Sequence, residues 1–282
     1  MRPDESIDLD VLAELVERQL ARGVEGFYCC GSSDEALLLS LKERKAVVRT
    51  VMTTVAGRVP VIAHVGTIRT DDVVELARDA EEAGVDAVSM IPPYYYHFTV
   101  DEVVAYYETV LGKCGLPVML YNIPQFTQFA FDKRNAGSLL ENPRVIGLKH
   151  TAHDMYSLER MRSAYPEKIL FNGFDEVYLA SLSAGADATV GTTVNLQPEL
   201  FLRVRSLFEQ GEILRAQEVQ RQINDVVEEL VAHGVFSAAK YLAGYPDLDC
   251  GRCRAPFRPL DDDDKNSLDR LGERLHAYIG SG

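Results

Sequence analysis

The stretch Val145-Ile146-Gly147-Leu148-Lys149-His150-Thr151 is a short apolar run that ends on a cation. A continuous apolar run of this length reads as a strand covered on both faces of a parallel sheet. Further runs of the same kind stand on either side of it: Gly26 to Cys30, Pro60 to Gly66, Asp86 to Pro93, Pro117 to Pro124, Ile169 to Asp175 and Ala188 to Thr193. Amphipathic helical patterns lie between them. In Asp71 to Ala83, the residues Val73, Val74, Leu76, Ala77 and Ala80 share one face, and Gly84 stops the helix. Gly23, Gly84 and Gly185 each fall in a helix-to-strand turn. Strand–helix units repeated at this spacing predict an α/β fold with a parallel sheet, as a (β/α)8 TIM barrel or an open doubly wound sheet. No glycine-rich dinucleotide fingerprint follows any strand, which favours the barrel. After about Pro198 the strand signals stop. The chain then reads as mostly helical from Glu199 to Ala232, with a final helix from Leu268 to Tyr278. The expected organisation is a barrel over 1–198, with the last barrel helix and a C-terminal helical extension over 199–282, all in one structural unit.

The length of 282 residues and the 46% hydrophobic content suffice for one large α/β domain with a full core. A formal net charge of -14 repels phosphate-rich and anionic lipid surfaces. No Lys/Arg cluster offsets it, so nucleic acid and membrane are set aside as partners. No apolar run approaches the ~20 residues that span a bilayer, and no apolar leader segment follows Met1, so the expected location is cytoplasmic. The five cysteines, Cys29, Cys30, Cys114, Cys250 and Cys253, are odd in number and lack framework spacing, which predicts reduced thiols. Cys250 and Cys253 form a lone C-x-x-C without two further ligands of matching spacing, and the six histidines are scattered, so no metal is expected. The acidic run Asp261 to Asp264 reads as solvated capping of the final helix.

Polar residues gather at the C-terminal ends of the strands: Ser32, Tyr121, Lys149, Asp175 and Thr192. Ligands bind there in either architecture. A lysine at the end of a buried strand is costly to keep charged, so its pKa is expected to fall toward neutrality. A neutral amine can attack a ketone and form a Schiff base. Taken alone, Lys149 also reads as a strand-end lysine that snorkels to the surface. Tyr121 ends Val118-Met119-Leu120 and precedes Asn122-Ile123-Pro124. By itself it is a packed ring with a satisfied hydroxyl; beside a Schiff base its phenol can shuttle a proton. Ser32 and Ser33 follow Gly31 and suit either a plain N-cap or a carboxylate held at a helix N-terminus.

Together these segments resemble one family. Gly31-Ser32-Ser33-Asp34-Glu35 is similar to the Gly-Ser-Thr-Gly-Glu loop of the dihydrodipicolinate synthase/N-acetylneuraminate lyase superfamily. Tyr121-Asn122-Ile123-Pro124 resembles its tyrosine motif, and Gly147-Leu148-Lys149 its Schiff-base lysine strand. Order and spacing agree from about Ile7 to the C-terminus. The resemblance implies a barrel with extra C-terminal helices, assembled as a homotetramer, and a class I aldolase that needs no cofactor. Lys149-His150-Thr151 resembles the Lys-x-Thr of the lyase branch. Phe171-Asn172-Gly173-Phe174-Asp175-Glu176 is similar to that branch's Tyr-Asn-Gly-Tyr-Asp-Glu, and Gly191-Thr192-Thr193 with Asn195 to its Gly-Ser-Thr-x-Asn. Adjacent carboxylates and hydroxyls suit a polyhydroxylated chain. The lysine-biosynthesis branch places an arginine shortly after its tyrosine motif, whereas Gln125-Phe126-Thr127 follows here.

The implied reaction cleaves N-acetylneuraminate to pyruvate and N-acetylmannosamine. In it Lys149 is the nucleophile, Tyr121 takes the proton, and Ser32 and Ser33 hold the carboxylate. Thr151, Gly173, Asp175, Glu176, Gly191 and Thr192 bind the sugar chain. Tyr95, in Pro92-Pro93-Tyr94-Tyr95-Tyr96, aligns with a tyrosine that reaches a neighbouring subunit's site. Its implied role is to complete a proton relay with Ser33 and Tyr121; its plain reading is interface packing.

Two departures stand against that pattern. The family begins with a strand ending in a Thr-Pro-Phe-like segment, but Ile7 to Leu20 is already helical in pattern, so the first barrel strand is expected to be absent and the sheet to have two edges. Asp34 replaces a glycine beside the carboxylate-binding hydroxyls, where its charge could repel a substrate carboxylate and its Cβ would forbid a glycine-only backbone. The other readings are an aldolase or dehydratase for a different 2-keto-3-deoxy sugar acid, a non-catalytic keto-acid-binding homologue, and a scaffold without ligand.

Overall fold

Each apolar run becomes a strand, trimmed at its ends by turn residues: β1 (Phe27–Cys29), β2 (Val61–His64), β3 (Ala87–Met90), β4 (Val118–Asn122), β5 (Val145–His150), β6 (Ile169–Asn172) and β7 (Ala188–Thr189). β3 and β4 are buried at every residue and β5 at all but Ile146. That is why they read as continuous rather than alternating runs. The strands are parallel and follow one another in sequence order across the sheet. This is the order of a TIM-type barrel, with seven strands among the described residues. The computed structural model describes residues 1–280. Among them no strand precedes Phe27, and β1 and β7 end the sheet.

The helices are α1 (Leu9–Ala21), α2 (Leu41–Val55), α3 (Thr70–Ala83), α4 (Val100–Leu111), α5 (Pro124–Thr127), α6 (Gly137–Leu140), α7 (Met155–Ala164), α8 (Tyr178–Ser183), α9 (Pro198–Glu209), α10 (Ile213–Ala232), α11 (Val235–Ala243) and α12 (Asp262–Gly280). Local chemistry sets their ends. Ser40 with Glu43 and Thr99 with Glu102 form capping boxes on α2 and α4, and the Asp8 and Asp154 side chains cap α1 and α7. α3 buries Val73, Leu76, Ala77 and Ala80 and stops where Gly84 adopts φ +82°.

The chain divides into two compact units. The sheet unit holds 26–174 and 180–190, including all seven strands. The helical unit holds 1–25, 175–179 and 191 onward. Within the helical unit, Arg22 ion-pairs with Glu199 and caps the carbonyl of Leu196. Its acidic run is only partly solvated. The Asp261 N–H donates to the Asp264 carboxylate and the Asp264 N–H to the Asp261 carboxylate, and Asp264, 8% exposed, also pairs with His233 and Arg258. The final helix therefore starts at Asp262, ahead of the apolar pattern that begins at Leu268.

Within the sheet unit one irregularity matters most. Val118 faces Val145, but the next pair is Met119 with Gly147, so Ile146 is an extra residue. Such a bulge changes which side chains of β4 and β5 stand level. Tyr121 is brought beside Lys149, and Asn122 beside His150. Gly147 then lies hard against β6, where a Cβ would stand 1.9 Å from the Ile169 carbonyl oxygen. We expect Gly147→Ala to cost about 2–4 kcal/mol or prevent folding, because backbone must move to admit the methyl. Urea titration checks this; a midpoint equal to that of the parent chain would show that β6 yields freely.

Candidate active site

Lys149 is the last residue but one of β5 and is 6% exposed. Its Nζ lies 4.2 Å from the ring centre of Tyr28 and 4.2 Å from that of Tyr121. The two rings meet edge to face, with centroids 6.0 Å apart and planes at 83°. No carboxylate pairs with Lys149 among the described residues. The snorkelling reading is thereby set aside. Lys168, at the opposite end of the sheet, shows what a structural buried lysine does instead: its Nζ donates to the carbonyl of Val145 at 2.7 Å. Tyr121 is 2% exposed and packs with Ile91 and Ile123, against which Tyr28 and Tyr94 also pack.

Behind these rings lies a polar frame. His64 stands edge-on to Tyr121 at 5.7 Å. Its Nδ1 donates to the Cys30 carbonyl at 3.0 Å, leaving Nε2 to accept from the Ile91 N–H at 3.4 Å. Arg44 is 2% exposed and caps the end of β2, donating to the carbonyls of His64 at 2.6 Å and Gly66 at 3.2 Å. Burial, and after it the Arg44 and Lys149 cations, holds His64 well below its usual 6.5. His150 points away into a second chain of bonds. The Phe131 N–H donates to Asn122 Oδ1, Asn122 Nδ2 donates to His150 Nδ1 at 3.0 Å, and His150 Nε2 donates to the Asp154 carbonyl at 3.1 Å. Burial lowers this imidazole too. Neutral His150 thus ties β4, β5 and the cap of α7 together.

Ser32 and Ser33 lie in a short 3₁₀ turn, Ser32–Asp34, rather than at the start of an α-helix; the next α-helix begins only at Leu41. Asp34 turns its carboxylate back to accept the Gly31 N–H at 2.9 Å. The left-handed residues of this loop are Cys30 and Glu35, at φ +59° and +57°, so Asp34 is not strained as the glycine replacement suggested. At Gly31 a Cβ would stand 3.1 Å from the Tyr28 ring, which would have to give by a few tenths of an ångström. Tyr95 is 76% exposed, with φ +76° and an edge-on contact to Tyr96 at 5.0 Å.

Thr151 continues the β4–β5 ladder through its N–H to Asn122 O, at 2.8 Å. Its hydroxyl is buried with no partner among the described residues, and Gly173 leaves it room, since a Cβ there would stand 1.8 Å from Oγ1. In the helical unit, Asp175 is 5% exposed and accepts the Thr193 N–H at 2.7 Å. Gly191 is obligatory beside it, since a Cβ would stand 1.6 Å from Asp175 Oδ1. The carbonyls of Asp175 and Glu176 accept from Gln220 and Asn224 of α10. Thr192 precedes the 3₁₀ turn Thr193–Asn195 as its N-cap.

Sequence reasoning did not find Tyr28, His64 or Arg44. Each is an ordinary residue for its element; only the fold sets the Tyr28 ring by Lys149, His64 edge-on to Tyr121, and Arg44 of α2 against the end of β2.

Comparison with known proteins gives a consistent result. A family model described as the dihydrodipicolinate synthetase family matches residues 1–274. An N-acetylneuraminate lyase of Rhizobium meliloti is 40% identical over 265 residues, spanning 94% of this chain and 88% of its own. A Clostridium difficile protein solved with mannosamine superposes with a TM-score of 0.95 at 30% identity, covering 98% of this chain and 95% of its own. A catalytic lysine mutant of the Ruminococcus gnavus sialic acid aldolase superposes with a TM-score of 0.96 at 28% identity, covering 99% and 93%.

The two buried histidines predict a stability profile. Unfolded histidines take up protons as pH falls through about 6.5, whereas His64 and His150 resist because their folded values are lowered. Unfolding therefore binds protons, and stability falls with pH below about 6.5, by at most ~1.4 kcal/mol per pH unit for each histidine. We expect a lower urea midpoint at pH 5.5 than at pH 7.5, with a smaller drop in His150→Gln. Equal drops in parent and variant would remove His150 from this account.

Proposed function

Because the chain belongs to the dihydrodipicolinate synthetase family, we propose that it is a class I, Schiff-base-forming aldolase that cleaves N-acetylneuraminate to pyruvate and N-acetylmannosamine. The observation that carries this reading is the position of Lys149: buried, without an acidic partner among the described residues, and level with Tyr121 at the end of β5. The similarity to an N-acetylneuraminate lyase at 40% identity supports the choice of substrate.

In this reading the Lys149 amine adds to the C2 ketone of the open-chain sugar acid, and loss of water leaves an iminium. Tyr121 accepts the proton of the C4 hydroxyl as the C3–C4 bond breaks. The bonding pair moves into the iminium, which becomes an enamine, and N-acetylmannosamine leaves as the aldehyde. Protonation of the former C3 and hydrolysis release pyruvate and return the amine. Ser32 and Ser33 hold the substrate carboxylate. Tyr95, exposed on its own chain, completes the relay with Ser33 and Tyr121 from a neighbouring subunit of a homotetramer. Within the sheet unit, the unpartnered Thr151 hydroxyl, given room by Gly173, meets the sugar chain. The family resemblance gives Asp175, Glu176, Gly191 and Thr192 a sugar-binding role. No helix among the described residues is long and apolar enough to cross a membrane, and we place the enzyme in the cytoplasm.

Incubation with N-acetylneuraminate and borohydride, followed by peptide mass spectrometry, tests the scheme. We expect a pyruvate-sized adduct on Lys149. Lys149→Ala should lose the adduct and at least about a thousandfold in turnover, and Tyr121→Phe should lose about 10²- to 10³-fold in kcat. An adduct on another lysine, or full turnover by Lys149→Ala, would sink the assignment.

A further inference from the structure

We infer that Tyr28 is a further catalytic residue: its ring face, set across from Tyr121, stabilises the positive charge that the Lys149 nitrogen carries in the iminium. The inference rests on the reading of Lys149 as the Schiff-base nucleophile.

The geometry separates the two ends of Tyr28. Its hydroxyl donates to Ser89 Oγ at 2.9 Å, and Ser89, fully buried, donates onward to the Met119 carbonyl at 3.0 Å. The phenolic proton is thereby committed to a structural chain that spans β1, β3 and β4. Burial also holds this phenol well above its usual 10, so it is a poor proton carrier. The ring face, by contrast, lies over Lys149 Nζ at 4.2 Å, the same distance as the face of Tyr121. An aromatic face within about 6 Å attracts a cation, and more strongly where water is excluded. The Schiff base acts as an electron sink only while its nitrogen keeps the proton, so the reaction needs a cation at this position. No carboxylate among the described residues stands by to balance it. The two faces are the negative potential that this end of β5 offers.

Neighbouring packing keeps the ring in place. The Gly31 backbone lies against its edge, where even a methyl would come within 3.1 Å of Cε1. His64 tilts against it at 6.2 Å. Tyr28 therefore packs between the serine loop and the lysine, with its hydroxyl anchored to Ser89.

The test is the half-saturating pyruvate concentration for borohydride trapping on Lys149, measured in the full chain. Tyr28→Phe keeps the face and drops the strut, and should raise that concentration about two- to threefold. Tyr28→Leu removes the face and should raise it about tenfold or more, as the loss of a desolvated cation–π contact implies. Phenylalanines carrying one, two or three ring fluorines at position 28 hold the shape while draining the face. They should raise it stepwise, which keeps the proposal testable even where the leucine variant misfolds. A flat fluorine series, with the adduct intact on Lys149, would overturn the role of Tyr28 alone. Absence of any Lys149 adduct in the parent chain would overturn the nucleophile assignment, and this inference with it.

Discussion

The sheet unit is arranged around the burial of one lysine that has no carboxylate to face. Taking an ammonium-sized ion out of water costs several kcal/mol even after relaxation. Lys168 meets that cost with backbone carbonyls. Lys149 has two aromatic faces, each worth on the order of 1–2 kcal/mol when desolvated. The faces offset only part of the cost, so the remainder is borne by the fold that forces the lysine inward. Three local features do the forcing: the extra residue Ile146, the bare backbone of Gly147 against β6, and the hydroxyl strut from Tyr28 through Ser89 to Met119.

Around the lysine the fold supplies polar groups that are neutral or positive. His64 and His150 each use both ring nitrogens in the neutral form, and burial keeps them that way. Arg44 is a buried cation whose donors cap the carbonyl ends of β2. Of the two acids in the serine loop, Asp34 and the buried Glu35, Asp34 is turned to the Gly31 N–H. A keto acid brings the negative charge that such a neighbourhood lacks. The same logic explains why the change from glycine to Asp34 is tolerable: the carboxylate is occupied by a cap, and the left-handed backbone falls on its neighbours.

Much of this was legible in the chain. All seven strands were readable as short apolar runs, most clearly β3 and β4, which are buried along their whole length. α3 was readable because its buried face and its glycine stop are both local. Lys149 and Tyr121 stood out as polar residues at the ends of apolar runs. The serine loop was read as leading into a helix N-terminus; the turn that forms there is the short 3₁₀ turn Ser32–Asp34, a type that a motif does not specify. The acidic run Asp261 to Asp264, which opens α12, was taken as solvated, because nothing near Asp264 in sequence announces His233. α11, only nine residues long, lies in a segment for which no element had been read.

What the residue order settled is everything that depends on a segment's own relation to water: which runs are strands, where helices stop, and which strand ends carry reactive groups. What awaited the folded chain is every relation between strands. Parity along a strand is two, so a single extra residue decides whether a side chain meets its partner or turns its back. Ile146 is that residue, and its effect exists only once β4 and β5 are paired. Tyr28 is likewise an ordinary strand tyrosine until pairing across β1 to β5 brings its face over Lys149, because contact between distant residues is set by register and packing rather than by local pattern.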